Sequence, residues 1–92
     1  MFRRIIREGD TTTHGGKVIN GSDRHRLEGR RIARLGDEVD CPAKYPGGTP
    51  HGVNKIIEGA TDELLDGIPI ALEGHKTECG CALIGSIDAN VG

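Results

Sequence analysis

The chain has 92 residues, which suits one domain and leaves no room for a second. One Phe, one Tyr and no Trp supply little large side-chain volume for a core, while 15 glycines add backbone entropy that folding must overcome. A net charge of −2, from 12 basic and 14 acidic residues, argues against non-specific nucleic-acid binding as the main role, and no apolar run is long enough to span a bilayer. A small chain with so thin a core needs a staple. The N-terminal MFRRIIREGD lacks the apolar stretch and cleavage site of a secretion signal, so the chain is expected to stay in the cytoplasm unless a dedicated machine exports it. In that reducing setting, three cysteines and four histidines favour a metal over disulfides.

In chain order, RRIIREGDTTTHGG reads as an apolar-basic strand, a turn at Gly9 and a polar stretch reaching His14. KVINGSD, from Lys17, is a short apolar strand followed by small residues and an acid. HRLEGRRIARL has a local helical look, but Gly29 breaks it, and Leu27-Glu28-Gly29-Arg30 predicts a hairpin. RRIARLGDEVDCP repeats the first pattern around Gly36 and ends on Cys41 and Pro42. PAKYPGGTPHG is rich in Pro and Gly and predicts a loop, with His51 in it. KIIEGATD, from Lys55, gives another short strand, and Leu65-Asp66-Gly67-Ile68 a second hairpin. IPIALEGHKTECG runs the pattern a third time around Gly74 and reaches Cys79, and ALIGSID closes it from Ala82. Acids interrupt the basic clusters at Arg3, Arg4 and Arg7 and from Arg24 to Arg34, which therefore read as solvated strand faces.

The three glycine-centred units align without gaps, and His14, Cys41 and Cys79 each stand five residues beyond the central glycine. Val18 and Leu83 follow His14 and Cys79 by four residues, whereas Ile56 follows Cys41 by fifteen, so the middle unit carries an insertion of about eleven residues. A structural zinc takes four N or S donors in a tetrahedron. An approximate three-fold axis would bring His14, Cys41 and Cys79 together, and the fourth donor must come from outside the repeat. His51 is the candidate. Cys81, two residues from Cys79, faces the same side of a strand and is an alternative. His75 stands where the other units have Asp10 and Asp37, and reads as a surface residue or a competing ligand. His25 sits in a charged stretch and reads as a bystander. The sequence has no HExxH, no Ser/His/Asp set and no phosphate-cradling loop, which favours a structural protein over an enzyme.

REGDTTTHGGKVINGS, ARLGDEVDCP, HGVNKIIEGA and ALEGHKTECGCALIGS resemble the successive signatures of PAAR-domain proteins, from about Arg7 to Ser86. The eponymous tetrapeptide has drifted to Arg31-Ile32-Ala33-Arg34 in one unit and Pro69-Ile70-Ala71-Leu72 in another. The resemblance implies a mainly β, small cone-shaped fold of short strands and tight turns, with pseudo-three-fold repeats and one structural zinc near the tip. It implies a single domain over residues 1–92 with no effector extension. Family zinc sets are often three His and one Cys, and the matching positions here are His14, Cys41, His51 and Cys79. The implied role is the structural tip of a type VI secretion spike, one monomer capping each VgrG trimer and sharpening it for membrane puncture, with effectors recruited separately. The protein would wait in the cytoplasm and leave with the firing machine. Three similar internal units would resolve the mismatch between one chain and a three-fold partner. The competing reading is a stand-alone zinc module that binds nucleic acid or protein. That reading calls for CxxC knuckles and a basic face, and the sequence has neither.

Overall fold

The computed structural model describes residues 3–86 and 90–91, and among these residues there are strands and turns but no helix. The strands are β1 (Arg3–Arg4), β2 (Thr11–Thr12), β3 (Lys17–Val18), β4 (Arg26–Leu27), β5 (Arg30–Arg31), β6 (Glu38–Lys44), β7 (Pro50–Lys55), β8 (Leu64–Leu65), β9 (Ile68–Pro69), β10 (Leu83–Ile84) and β11 (Asn90–Val91). One antiparallel sheet has the order β10-β2-β3-β6-β7, and three two-stranded ribbons pair β4 with β5, β8 with β9 and β1 with β11. No helix of the described residues is long and apolar enough to cross a membrane.

The mainly β, three-unit reading of the sequence holds. Gly9, Gly36 and Gly74 have φ of 88°, 91° and 89°, and each donates its N–H to the buried apolar residue of the next stretch: to Val18 O at 2.7 Å, Ile56 O at 2.9 Å and Leu83 O at 2.8 Å. At the centre, the three units bond to one another in a closed ring. Ile6 N–H donates to Ala71 O (3.1 Å), Ala71 N–H to Ala33 O (2.9 Å) and Ala33 N–H to Ile6 O (2.9 Å). These three residues are fully buried, and with Val18, Val39, Ile56 and Leu83 they make the core. Such a ring can be drawn only around an approximate three-fold axis.

Close approach at the unit junctions also repeats. A Cβ on Gly21 would lie 2.7 Å from Ile32 O, one on Gly59 2.7 Å from Pro69 Cβ, and one on Gly85 2.6 Å from Arg4 Cβ. Side chains essentially never pack that tightly, so these three glycines let one unit lie flat on the next.

Both predicted hairpins form. Glu28 and Gly29 have φ of 49° and 84°, and Asp66 and Gly67 have 54° and 80°. Two consecutive left-handed residues are the mark of a type I′ turn, whose twist matches the flanking strands. The third ribbon is not a hairpin. It forms where β1 meets β11, with Arg3 opposite Val91 and Arg4 opposite Asn90.

Two sequence expectations need correction. The insertion after Cys41 is largely a hairpin, because β6 runs on to Lys44 and β7 begins at Pro50, with a register shift between Cys41 and Lys44. Pro42 and Pro50 are accommodated by that irregularity and by the strand end, where a missing N–H is harmless. The tip is closed by Tyr45 N–H to Thr49 O (2.8 Å) and Gly48 N–H to Tyr45 O (2.9 Å). The second correction is His75. It is 8% exposed, and its Nδ1 accepts the Leu72 N–H at 2.9 Å. Asp10 and Asp37 do the same with their Oδ2 atoms, for Arg7 N–H (2.8 Å) and Arg34 N–H (2.7 Å). His75 is therefore neither a surface residue nor a competing ligand but the third copy of a turn-capping acceptor. An unprotonated ring nitrogen does the work of a carboxylate oxygen.

Candidate metal centre

His14 sits in the turn between β2 and β3. Thr12 organises that turn: its Oγ1 accepts N–H groups from His14 (3.3 Å) and Gly16 (3.0 Å), and its carbonyl accepts Gly15 N–H (3.0 Å). Thr77 occupies the equivalent place in the third unit. There its carbonyl accepts Gly80 N–H (2.9 Å), and its Oγ1 lies 3.3 Å from Cys79 Sγ and 3.0 Å from Cys81 Sγ. Cys79 is also tied to β7 through its N–H, which donates to Asn54 Oδ1 at 3.3 Å. The middle unit replaces a tight turn with the long β6–β7 hairpin. In it Cys41 pairs with Gly52, so His51 emerges beside Cys41.

The result is a cluster of donors from all three units. Ligand atoms of His14, Cys41, Cys79 and Cys81 all lie within 4.8 Å of one another. Cys41 Sγ is 3.6 Å from His14 Nδ1 and 3.5 Å from His51 Nδ1, and Cys79 Sγ is 3.6 Å from Cys81 Sγ. The rings of His14 and His51 meet edge to face with centroids 5.4 Å apart, and Tyr45 covers the far side of His51 at 4.1 Å. Cys41 and Cys81 are buried, Cys79 and His51 half-buried, and His14 exposed.

These separations fit a metal ion. With bonds of about 2.3 Å to sulfur and about 2.05 Å to nitrogen, a tetrahedral zinc holds its donors about 3.3–3.8 Å apart. The separations of Cys41 from His14 and His51 match sulfur–nitrogen pairs on one ion, and that of Cys79 from Cys81 would match a sulfur–sulfur pair only where Cys81 also ligates. The thiols are also unequal. Burial pushes the Cys41 thiol up. Burial acts the same way on Cys79, but hydrogen bonds from Thr77, the Cys81 backbone and His51 outweigh it and bring that thiol down to about 5. A thiolate is the metal-binding form of cysteine, so the third unit presents a ready donor. Such a set of soft and borderline donors, each anchored by a turn or strand, can bind an ion and cross-link three units through it.

The structure thus brings together the three repeat-equivalent residues His14, Cys41 and Cys79 and adds Cys81 to the mutually close set, while His51 adjoins that set through Cys41. His25 lies elsewhere, with its Nε2 3.7 Å from Asp66 Oδ1. Sequence reasoning overlooked Thr12 and Thr77, although a cue was present: each stands two residues before the donor in its unit, as Thr12-Thr13-His14 and Thr77-Glu78-Cys79.

No curated protein matches the chain. A family model does: the one described as the PAAR motif covers residues 8–85, a span that includes the donor cluster, both hairpins and all three central glycines. That family is a cone-shaped, zinc-binding β fold associated with the tip of type VI secretion spikes, and it is a structural family. With its three units closed around one axis and its donors gathered at one place, the chain belongs to the PAAR family.

Proposed function

We propose that this protein is the structural tip of a type VI secretion spike, one monomer seated on each VgrG trimer and stiffened by a single zinc ion. The observation that carries the reading is the ring of hydrogen bonds among Ile6, Ala33 and Ala71. Through it one chain repeats the same backbone three times about an axis, which is what a monomer needs to meet a three-fold partner on equal terms. The proposed ligands are His14, Cys41, His51 and Cys79, one donor from each repeat and the fourth from the β6–β7 hairpin. The ion would tie the three units together where the apolar core is thin, and the stiffened point would assist membrane puncture. Delivery would be by the secretion machine itself.

The test is to mix the purified protein with the cognate spike trimer and measure the mass of the complex in solution. One chain per trimer is the expected stoichiometry. Three chains per trimer, or no complex with any trimer from the same organism, would overturn the reading. Elemental analysis of the same preparation should find about one zinc per chain, since four donors make one closed site.

A further inference from the structure

Five donors gather where a tetrahedral ion needs four: His14, Cys41, Cys79 and Cys81 all lie within 4.8 Å of one another, and His51 adjoins Cys41. With His14, Cys41, His51 and Cys79 as the proposed ligands, Cys81 is left over, with its sulfur against that of Cys79. The fold does not require a thiol there: the equivalent position of the first unit is Gly16, which closes the same kind of turn without one. We propose that Cys79 and Cys81 are a redox pair, oxidised to a disulfide by low-molecular-weight disulfides of the glutathione type, and that their oxidation empties the metal centre. This rests on the metal reading of the site given above.

Three features carry the proposal. The sulfurs are 3.6 Å apart, and both lie against Thr77 Oγ1, so they occupy one small space. Residues two apart can join only if the chain folds at the residue between them. Gly80 does this, with φ of 88° and open space on the side where a Cβ would project. The pair is also ordered for exchange: Cys79 is half-buried and within reach of a small disulfide, while Cys81 is fully buried behind it. In the first step the Cys79 thiolate attacks one sulfur of the small disulfide. Its S–S bond breaks, one thiolate leaves, and a mixed disulfide forms on Cys79. Cys81 then attacks Cys79 Sγ, the Cys79–Cys81 bond forms, and the second small thiolate leaves. Two protein thiols are oxidised, one small disulfide is reduced to two thiols, and those thiolates take up protons from the protein thiols, or from water where the protein sulfurs were already ionised. The centre keeps His14, Cys41 and His51, a three-donor remnant that no longer closes a tetrahedron.

The experiment uses the full chain loaded with zinc, then treated with oxidised glutathione. Readouts are zinc released to a coloured chelator, the number of alkylatable thiols, and intact and peptide mass. Wild type should lose two of its three thiols and the mass of two hydrogens, carry the bond within Cys79-Gly80-Cys81, release its zinc, and recover on addition of dithiothreitol. The variants Cys81→Ser and Cys81→Ala keep the four proposed donors but can go no further than a mixed disulfide on Cys79, which reduced glutathione reverses, so in a mixture of oxidised and reduced glutathione that empties the wild type they should lose less zinc. Retention of all three thiols, a product that stops at the mixed disulfide, or a bond that includes Cys41 would overturn the pairing, as would equal zinc loss from the Cys81 variants. A chain that takes up no zinc before oxidation defeats the metal reading instead, and the thiol count and peptide mass then decide the pair by themselves.

Discussion

At the axis, Ile6, Ala33 and Ala71 make the same bond to one another at nearly the same length; at the donor cluster the three units contribute His14, Cys41 and Cys79 and then cease to match. The middle unit adds His51 from an inserted hairpin, and the third adds Cys81 from a tight turn. The difference follows from what each region must satisfy. A backbone ring is indifferent to side chains, so it tolerates an Ile in one unit and an Ala in the other two. A tetrahedral ion needs four donors, and three equivalent units can supply only three or six. With the proposed ligands, symmetry would break at the metal, and it would do so through the insertion in the middle unit.

This contrast can be tested by perturbing one region at a time. The largest effect belongs to the cluster: stripping the ion with a chelator, or replacing Cys41 with Ser, should lower the melting temperature more than any change at the axis. Structural zinc contributes apparent free energies of about 10–16 kcal/mol in small zinc-binding peptides, and Cys41 touches both histidines of the cluster. Scanning calorimetry with and without chelator would show it, and an unchanged melting point would mean that the axis alone holds the fold. Gly59→Ala comes next. Its Cβ would meet Pro69 Cβ at 2.7 Å, and overpacking of that kind costs about 1–3 kcal/mol by denaturant titration.

The turn caps should follow. Asp37→Ala leaves the Arg34 N–H without its acceptor, a loss of about 1–2 kcal/mol. In the third unit the same bond is sensitive to pH. Burial, reinforced by the charge of Arg3, holds the His75 pKa below its ordinary value, so the unfolded chain takes up the proton first as pH falls. The contribution of His75 is therefore complete above about pH 6.5 and declines below it. His75→Asp, which restores the residue type of the other two units, should flatten the fall in melting temperature between about pH 6.5 and 5. An identical slope in the variant would show that the Leu72 N–H is not held by the ring nitrogen. The smallest effect is expected at Arg31, whose guanidinium lies 2.9 Å from Glu8 Oε2 with both side chains 27% exposed. Arg31→Ala should lower the melting temperature least of these changes, and less still in high salt.

Much of this was legible in the sequence because repetition amplifies weak cues. A single glycine among apolar residues says little, but Gly9, Gly36 and Gly74, each with a possible metal donor five residues later, fixed both the unit and its period. The Glu-Gly and Asp-Gly turns were readable because only a few residue types accept consecutive positive φ. Three things were not readable. His75 looked like a ligand or a surface residue, since residue type alone cannot say that an imidazole nitrogen will receive a backbone N–H. Prolines at 42, 46 and 50 disguised a hairpin as a loop, because a register shift can place a proline where the ladder needs no donor. Cys81 could not be separated from Cys79 by strand parity, and the structure leaves the two side by side.

The pairing of β1 with β11 gives the molecule the connectivity of a bracelet with an undone clasp. Two corners are fastened by covalent turns, and at the third two strands far apart in sequence meet by backbone pairing. Because no turn joins β1 to β11, force along either strand should peel that pair before it reaches the bonds about Ile6.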